Sequence, residues 1–138
     1  MRLNTKGEDI MGEYIMKNNV NPEEINGFTI EAPTLSSWLK REDKPLLLDI
    51  RAKEDFEKYN IKDSIHSEWD DVEHKLRLGA FPKHKKIVVI CYVGISSAEI
   101  ATDLRLAGYD AYTLKDGILG EWQEHGYPLE QNATIGTE

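Results

Sequence analysis

Long apolar runs are missing from this chain of 138 residues. A transmembrane helix needs about 20 consecutive apolar residues, and no window approaches that length. The first 27 residues also lack the apolar stretch and small-residue cleavage site of a secretory signal. We therefore expect a soluble, cytoplasmic protein with no membrane partner.

Cysteine is almost absent as well, because Cys91 is the only one in the sequence. A single cysteine excludes intrachain disulfides and any zinc site built from several thiolates. The four histidines show no His-x-x-x-His ligand spacing, so we predict no metal site. Thiol chemistry in this chain can use only Cys91.

The chain also lacks an excess of positive charge. The sequence has 17 Lys and Arg against 25 Asp and Glu, a net charge of −8. Phosphate backbones and anionic lipids are bound mainly by clustered Lys and Arg. The basic residues at 53–58 are interleaved with acids and those at 83–86 form a short run, so both are interpreted as solvated faces. We predict no nucleic-acid partner.

The length and the 40% hydrophobic content fit one packed domain, since two would each be too small for a good core. We divide the chain into an N-terminal extension (1–27), a main domain (28–130) and a flexible tail (131–138). Residues 8–18 have the apolar spacing of an amphipathic helix. That helix would pack on its own domain, on a second subunit in a homodimer, or on a partner.

Within the main domain, short apolar runs alternate with patterns of helical spacing. The clearest strand is 87–90, which is apolar throughout, and 46–50 is apolar except for Asp49. Such short apolar runs are typical of strands buried on both faces. Strands separated by helices predict an α/β sandwich of three layers, with a mostly parallel sheet between helices.

The helical patterns also predict which side chains lie in each helix. We expect helices to carry Phe56 and Tyr59, then Trp69, Val72 and Leu76, and finally Ile118, Leu119 and Trp122. The last group is predicted to face inward and the tryptophans to be at least half-buried. Asp116 is expected to cap the last helix.

Cys91 follows the strand at 87–90, and ligands of open parallel sheets bind beyond the carboxyl ends of strands. Backbone N–H groups of residues 92–96 could turn toward the sulfur, since Gly94 permits conformations that other residues resist. A helix starting near Ser96 would add its dipole, and together these groups would stabilise a thiolate or a bound anion. The alternative is that Cys91 is simply a small buried apolar residue.

The loop Cys-Tyr-Val-Gly-Ile-Ser-Ser at 91–97 resembles the active-site loop of the rhodanese-like sulfurtransferases, in particular the bacterial single-domain thiosulfate sulfurtransferases. The resemblance covers about residues 28–129 and includes further matching segments: 48–51 with Phe56, 106–110, and 114–117 followed by Trp122 and Pro128. Many members have an arginine where this chain has Ser96, although the single-domain subgroup has serine there. Asp63 and Ser64 stand close to where the family usually has a Gly-Ala pair.

The resemblance implies a rhodanese-like fold with a sheet of about five strands. It also implies a sulfurtransferase in which Cys91 is catalytic and carries sulfur as a persulfide, with no cofactor. The donor would be thiosulfate or a polysulfide, and the acceptor cyanide, a small thiol or a protein cysteine. The loop residues implied to bind substrate are Tyr92, Val93, Gly94, Ile95, Ser96 and Ser97. Either serine would donate its hydroxyl to the sulfur or cap the following helix.

Asp49 and Arg51 are implied to lie near this loop. They would either form an internal ion pair that fixes the strand end, or leave Arg51 to attract an anionic donor.

Two other functions remain as alternatives. A phosphatase of the related dual-specificity type needs an arginine six residues after the cysteine, and that position is Ser97. A non-catalytic binding module, or a sensor of oxidants and reactive sulfur, would use the same loop without turnover.

Overall fold

The computed structural model describes residues 28–131. The helix predicted over residues 8–18 and the tail from residue 132 onward lie outside the described residues. No helix within 28–131 is both long enough and apolar enough to cross a membrane.

The centre of the fold is a parallel sheet of five strands. In chain order these are β1 (Thr29–Ile30), β2 (Leu46–Asp49), β4 (Ile65–His66), β5 (Ile87–Ile90) and β6 (Ala111–Leu114). Their spatial order is β1-β6-β5-β2-β4, and all the pairings are parallel. The predicted mostly parallel sheet is therefore confirmed.

Helices cover both faces of the sheet. They are α1 (Ala32–Trp38), α2 (Lys53–Lys58), α3 (Val72–Arg77) and α4 (Ile95–Leu106), followed by a wide helical segment, Ile118–Trp122, interrupted at Gly120. Pro33 lies in the first turn of α1, where its missing N–H costs nothing. This arrangement is the predicted α/β sandwich.

The central strand β5 shows why the sheet needs cover on both sides. Its four side chains are fully buried, and they alternate between the faces. Ile87 and Val89 pack in the cluster that contains Leu104 of α4. Val88 and Ile90 pack in the cluster on the other face. Cys91 continues the alternation onto the α4 face.

Several of the finer expectations are wrong. Tyr59 lies outside α2, in an extended conformation in a two-residue strand. Trp69 precedes α3 and is 56% exposed, and Leu119 is 39% exposed rather than inward-facing. Asp116 does not cap the last helical segment, because Gly117 occupies the N-cap and no side-chain hydrogen bond closes it.

A second, smaller sheet has no counterpart in the sequence predictions. Its strands are β3 (Tyr59–Asn60) and β7 (Glu130–Gln131), which pair antiparallel with Tyr59 opposite Gln131. Two-residue strands carry too little alternation to be read from a sequence. The pairing ties Gln131, assigned above to the tail, to the segment that follows α2.

The parallel arrangement brings the carboxyl ends of the strands to one edge of the sheet. There β2 continues to Arg51, β5 to Cys91 and β6 to Gly117. Because β5 lies between β2 and β6, the segments on both sides of Cys91 in space come from these two neighbours.

Candidate active site

Cys91 lies directly after β5 and is only 4% exposed. Its Sγ accepts hydrogen bonds from the backbone N–H groups of Gly94, at 3.0 Å, and Ser97, at 3.4 Å. Ser97 belongs to the first turn of α4, so the positive end of that helix faces the sulfur. The sequence analysis expected backbone N–H groups of residues 92–96 to face the sulfur. Within that range Gly94 makes this contact, and the second contact comes from Ser97, one residue beyond it.

Gly94 is the N-cap of α4 and has φ of 90°, in the left-handed region. A Cβ on Gly94 would lie 3.1 Å from the backbone nitrogen of Asp116 and 3.3 Å from the carbonyl oxygen of Leu114. Both its conformation and its surroundings therefore favour glycine. No side chain caps α4 with a hydrogen bond, so neither Ser96 nor Ser97 has the capping role considered above.

The two loop serines differ sharply in position. Ser96 is exposed, whereas Ser97 is fully buried with its Oγ 3.2 Å from Cys91 Sγ. The Ser97 hydroxyl also lies 2.6 Å from Oγ1 of Thr113, which is 3% exposed. Sγ, Ser97 and Thr113 thus form a buried polar chain.

Thr113 was not among the residues singled out in the sequence. Its position follows from register, since Thr113 pairs with Val89, two residues before Cys91 on the same face. The available signal was a polar residue inside the otherwise largely apolar run of β6. Threonine is common in strands for its β-branched shape alone, so that signal is weak.

Gly117 is a second residue of the site, and the sequence analysis included it only in the matching segment 114–117, without a role. It has φ of 66°, and a Cβ there would overlap the backbone of Tyr92 and Val93. This close approach lets Ile118 donate its N–H to the Cys91 carbonyl at 2.9 Å. The next residue, Leu119, donates to the Tyr92 carbonyl at 3.0 Å.

Tyr92 anchors the other side of the loop. Its phenol donates a hydrogen bond to the Asp55 carboxylate and accepts one from the backbone N–H of Ala52 at 3.2 Å. Burial and the hydrogen bond to Asp55 raise the pKa of Tyr92 above its usual value. The phenol therefore stays protonated at neutral pH and keeps donating to α2.

Asp49 and Arg51 form the internal ion pair. Arg51 Nη2 lies 2.8 Å from Asp49 Oδ2 and Nε lies 3.0 Å from Oδ1, and both side chains are completely buried. Arg51 Nη2 also donates to the Tyr59 carbonyl at 2.6 Å, while Nη1 has no hydrogen-bond partner among residues 28–131. The guanidinium lies 5.8 Å from the centre of the Tyr92 ring. It is near the loop but is not a surface charge.

The outer side chains of the loop are apolar or small. Val93 is 54% exposed and Ile95 is 69% exposed, and Ser96 is exposed beside them. The loop therefore presents backbone donors to the sulfur and uncharged side chains to solvent. Such a site can stabilise an anionic sulfur but offers no cation to an incoming anion.

Other features of the described residues do not compete with this site. No group of three His, Cys, Asp or Glu side chains in the described part of the chain could hold a metal ion. A cavity of about 490 Å³, lined by Trp38, Arg41, Lys85 and other largely charged residues, lies at the amino ends of β2 and β5. That is the edge of the sheet opposite Cys91.

Comparisons with known proteins place this geometry in context. The sequence profile of the rhodanese-like domain matches residues 32–125. A sulfurtransferase of Allochromatium vinosum is 28% identical over 101 residues, which is 72% of this chain and 92% of that protein. A tRNA sulfurtransferase of Desulfurococcus amylolyticus is 25% identical over 114 residues, or 80% of this chain. This chain spans only 21% of that longer protein.

Among solved structures, a rhodanese-related protein of Thermoplasma volcanium superposes with a TM-score of 0.66 at 27% identity. The match covers 74% of this chain and 96% of the other.

The buried ion pair leads to a first prediction. Asp49→Asn leaves the Arg51 charge buried without its counter-ion, and we expect it to lower the free energy of unfolding by about 3 kcal/mol. The matched control is Asp63→Asn, which breaks the exposed pair with Lys44 and should cost less than about 1 kcal/mol. Denaturant unfolding of both variants measures the difference, and equal losses would contradict the role of the buried pair.

A second prediction concerns Gly117. Gly117→Ala and Gly126→Ala both place alanine at a positive φ, but a Cβ on Gly126 has nothing within 4 Å. The left-handed conformation alone should cost about 1–2 kcal/mol in each variant. Overlap with the Tyr92 carbonyl should add roughly 1–3 kcal/mol in Gly117→Ala only. Thermal unfolding would refute this if the two variants proved equally stable.

Proposed function

The chain belongs to the rhodanese-like domain family, and we propose that it is a sulfurtransferase that carries sulfane sulfur on Cys91. The observation that supports this most directly is the pair of hydrogen bonds from Gly94 and Ser97 N–H to Sγ, at the carboxyl end of β5. A buried cysteine kept only for packing would need no such donors.

The first step proposed is attack of the Cys91 thiolate on the outer sulfur of a donor. With thiosulfate, a new bond forms from Cys91 Sγ to that sulfur. The sulfur–sulfur bond of the donor breaks, and sulfite leaves with the bonding electron pair. A polysulfide would react in the same way and release a shorter polysulfide. The enzyme is left with a persulfide on Cys91.

In the second step the acceptor attacks the terminal sulfur of the persulfide. Cyanide would leave as thiocyanate, and a thiolate would leave as a new persulfide. The bond to Cys91 breaks and its electron pair returns to Sγ, so the starting thiolate is regenerated. Splitting the transfer into two displacements replaces one difficult step by two easier ones.

The residues around Sγ suit both steps because each begins or ends with negative charge on sulfur. Gly94 and Ser97 N–H groups point at Sγ before the reaction starts, so little reorganisation is needed. When the sulfur is ionised, the Ser97 hydroxyl can donate to it while accepting from Thr113. In this mechanism no cofactor is used, because the transferred sulfur is bound to Cys91 itself.

Mass spectrometry tests the proposal directly. After incubation with thiosulfate or polysulfide, the intact protein should gain the mass of one sulfur atom, and cyanide or a thiol should remove it. Because Cys91 is the only cysteine, the added sulfur has a single assignable site. Cys91→Ser should gain nothing. A folded wild-type protein with a free thiol that gains no sulfur from either donor would contradict the proposal and favour the non-catalytic alternative.

We also expect thiosulfate to be a poor donor. A dianion approaching a chain of net charge −8 meets no Lys or Arg in the loop, and Arg51 is buried against Asp49. The KM for thiosulfate should exceed roughly 1 mM at low ionic strength, where repulsion is least screened.

Steady-state kinetics with two designed variants sharpen this prediction. Val93→Arg adds a cation to the loop and should lower the KM several-fold. Leu78→Arg adds the same charge at a position that is 69% exposed but outside the loop, and should change it little. A sub-millimolar KM for the wild type would refute the prediction.

A further inference from the structure

Three exposed aliphatic side chains belong to the two segments that meet next to Cys91. Val93, Ile95 and Leu119, here called the apolar rim, are 54%, 69% and 39% exposed. Val93 and Ile95 flank Gly94, whose N–H contacts the sulfur. Leu119 comes from the opposite segment, yet its N–H donates to the Tyr92 carbonyl at 3.0 Å. The rim is therefore built by two segments that meet at the loop.

Single exposed aliphatic residues are ordinary, but their grouping around the one thiol of the chain is informative. The described chain has three other large hydrophobic residues of comparable exposure: Ile65, Trp69 and Leu78. None of them belongs to the loop after Cys91 or to residues 117–119, which bond to its backbone. Exposed apolar surface gains free energy when a partner covers it, in proportion to the area removed from water.

Carboxylates flank each part of the apolar rim. Glu99 lies one helical turn after Ile95, on the same side of α4. The exposed Asp116 lies beside Gly94 and precedes the turn that carries Leu119. On the other side, the Asp55 carboxylate holds the Tyr92 phenol.

The nearby cations do not reverse this charge. Arg51 is fully buried and paired with Asp49. Lys53 begins α2 but is followed at once by Glu54 and Asp55, and Lys115 stands next to Asp116. The segments next to Cys91 thus expose the apolar rim, and carboxylates lie close to it in the chain on each side.

From this we propose that the apolar rim docks a protein acceptor, whose reactive cysteine lies in a segment with aliphatic side chains and Lys or Arg. The inference rests on the proposed sulfurtransferase function and specifies its acceptor. Aliphatic side chains of the partner would cover Val93, Ile95 and Leu119, while its cations would face Glu99, Asp116 and Asp55. A small anionic acceptor gains neither contact.

The transfer itself is the second displacement already described. The partner thiolate attacks the terminal sulfur of the Cys91 persulfide and becomes a persulfide. The electron pair of the broken bond returns to Cys91, so no external oxidant or reductant takes part.

The experiment compares four capped peptides, each with one cysteine. Their flanking residues are basic and aliphatic, basic and polar, acidic and aliphatic, or acidic and polar. Charged residues lie at least four positions from the cysteine, and each rate is normalised to the reaction of the same peptide with a small disulfide. This removes differences in intrinsic thiol reactivity. Sulfur-loaded protein is mixed with each peptide, and transfer is followed by mass spectrometry.

We expect the basic aliphatic peptide to react at least about tenfold faster than the acidic polar one, with the mixed peptides between them. Added salt should reduce the advantage of the basic peptides. In Ile95→Ser, the ratio of the basic aliphatic peptide rate to the rate with a small thiol should fall about fivefold. Leu78→Ser removes an equally exposed side chain outside the loop and should leave that ratio unchanged.

A binding measurement separates this inference from the proposed chemistry. Cys91→Ser protein is titrated against the same peptides with serine in place of cysteine, and fluorescence anisotropy reports docking without transfer. If Cys91→Ser docks the basic aliphatic peptide while the wild-type protein cannot be loaded with sulfur, the surface is supported and the transfer is refuted. Loading with equal rates and equal binding for all four peptides would refute the surface and leave the sulfurtransferase proposal standing.

Discussion

The backbone hydrogen bonds between the loop after Cys91 and the turn at Gly117 are the constraint on which the site depends. They fix the carbonyl groups of Cys91 and Tyr92, at 2.9 and 3.0 Å from their donors. Because each peptide unit is planar, fixing a carbonyl also fixes the N–H of the next residue. From this fixed segment the chain reverses at Gly94, whose own N–H is directed at the sulfur. The contact is possible only because Gly117 has no side chain.

The buried ion pair explains how the fold holds a positive charge near the loop without offering it to a ligand. Arg51 directs its hydrogen bonds to Asp49 and the Tyr59 carbonyl, and its guanidinium lies 4.9 Å from the Tyr59 ring centre. A buried pair of this kind contributes little net stability compared with apolar packing, but breaking it is costly. Its effect here is positional, because it ties β2 to the small sheet of β3 and β7.

The parts that the sequence predicted are those with strong local patterns. The apolar runs of β2 and β5 alternate between two cores, and they give the sheet and the place of Cys91 at its carboxyl edge. Thr113 and Gly117 could not be assigned to the site in the same way. Each acts across a long sequence separation, through strand register in one case and a backbone approach in the other. The prediction that Trp69 lies in a helix was wrong for a different reason. Its helical spacing from Val72 does not show where the helix begins.

In this loop, different groups hold the sulfur and face an approaching molecule. The groups that contact Sγ are two backbone amides and the buried hydroxyl of Ser97. Exposed side chains such as Val93 and Ile95 take no part in those contacts, so their identity can change without moving the donors. Chemistry held by the backbone therefore leaves the surface of the loop free to determine which molecule approaches. In this chain that surface is aliphatic with carboxylates beside it, which is the basis for proposing a partner large enough to cover it rather than a small anion.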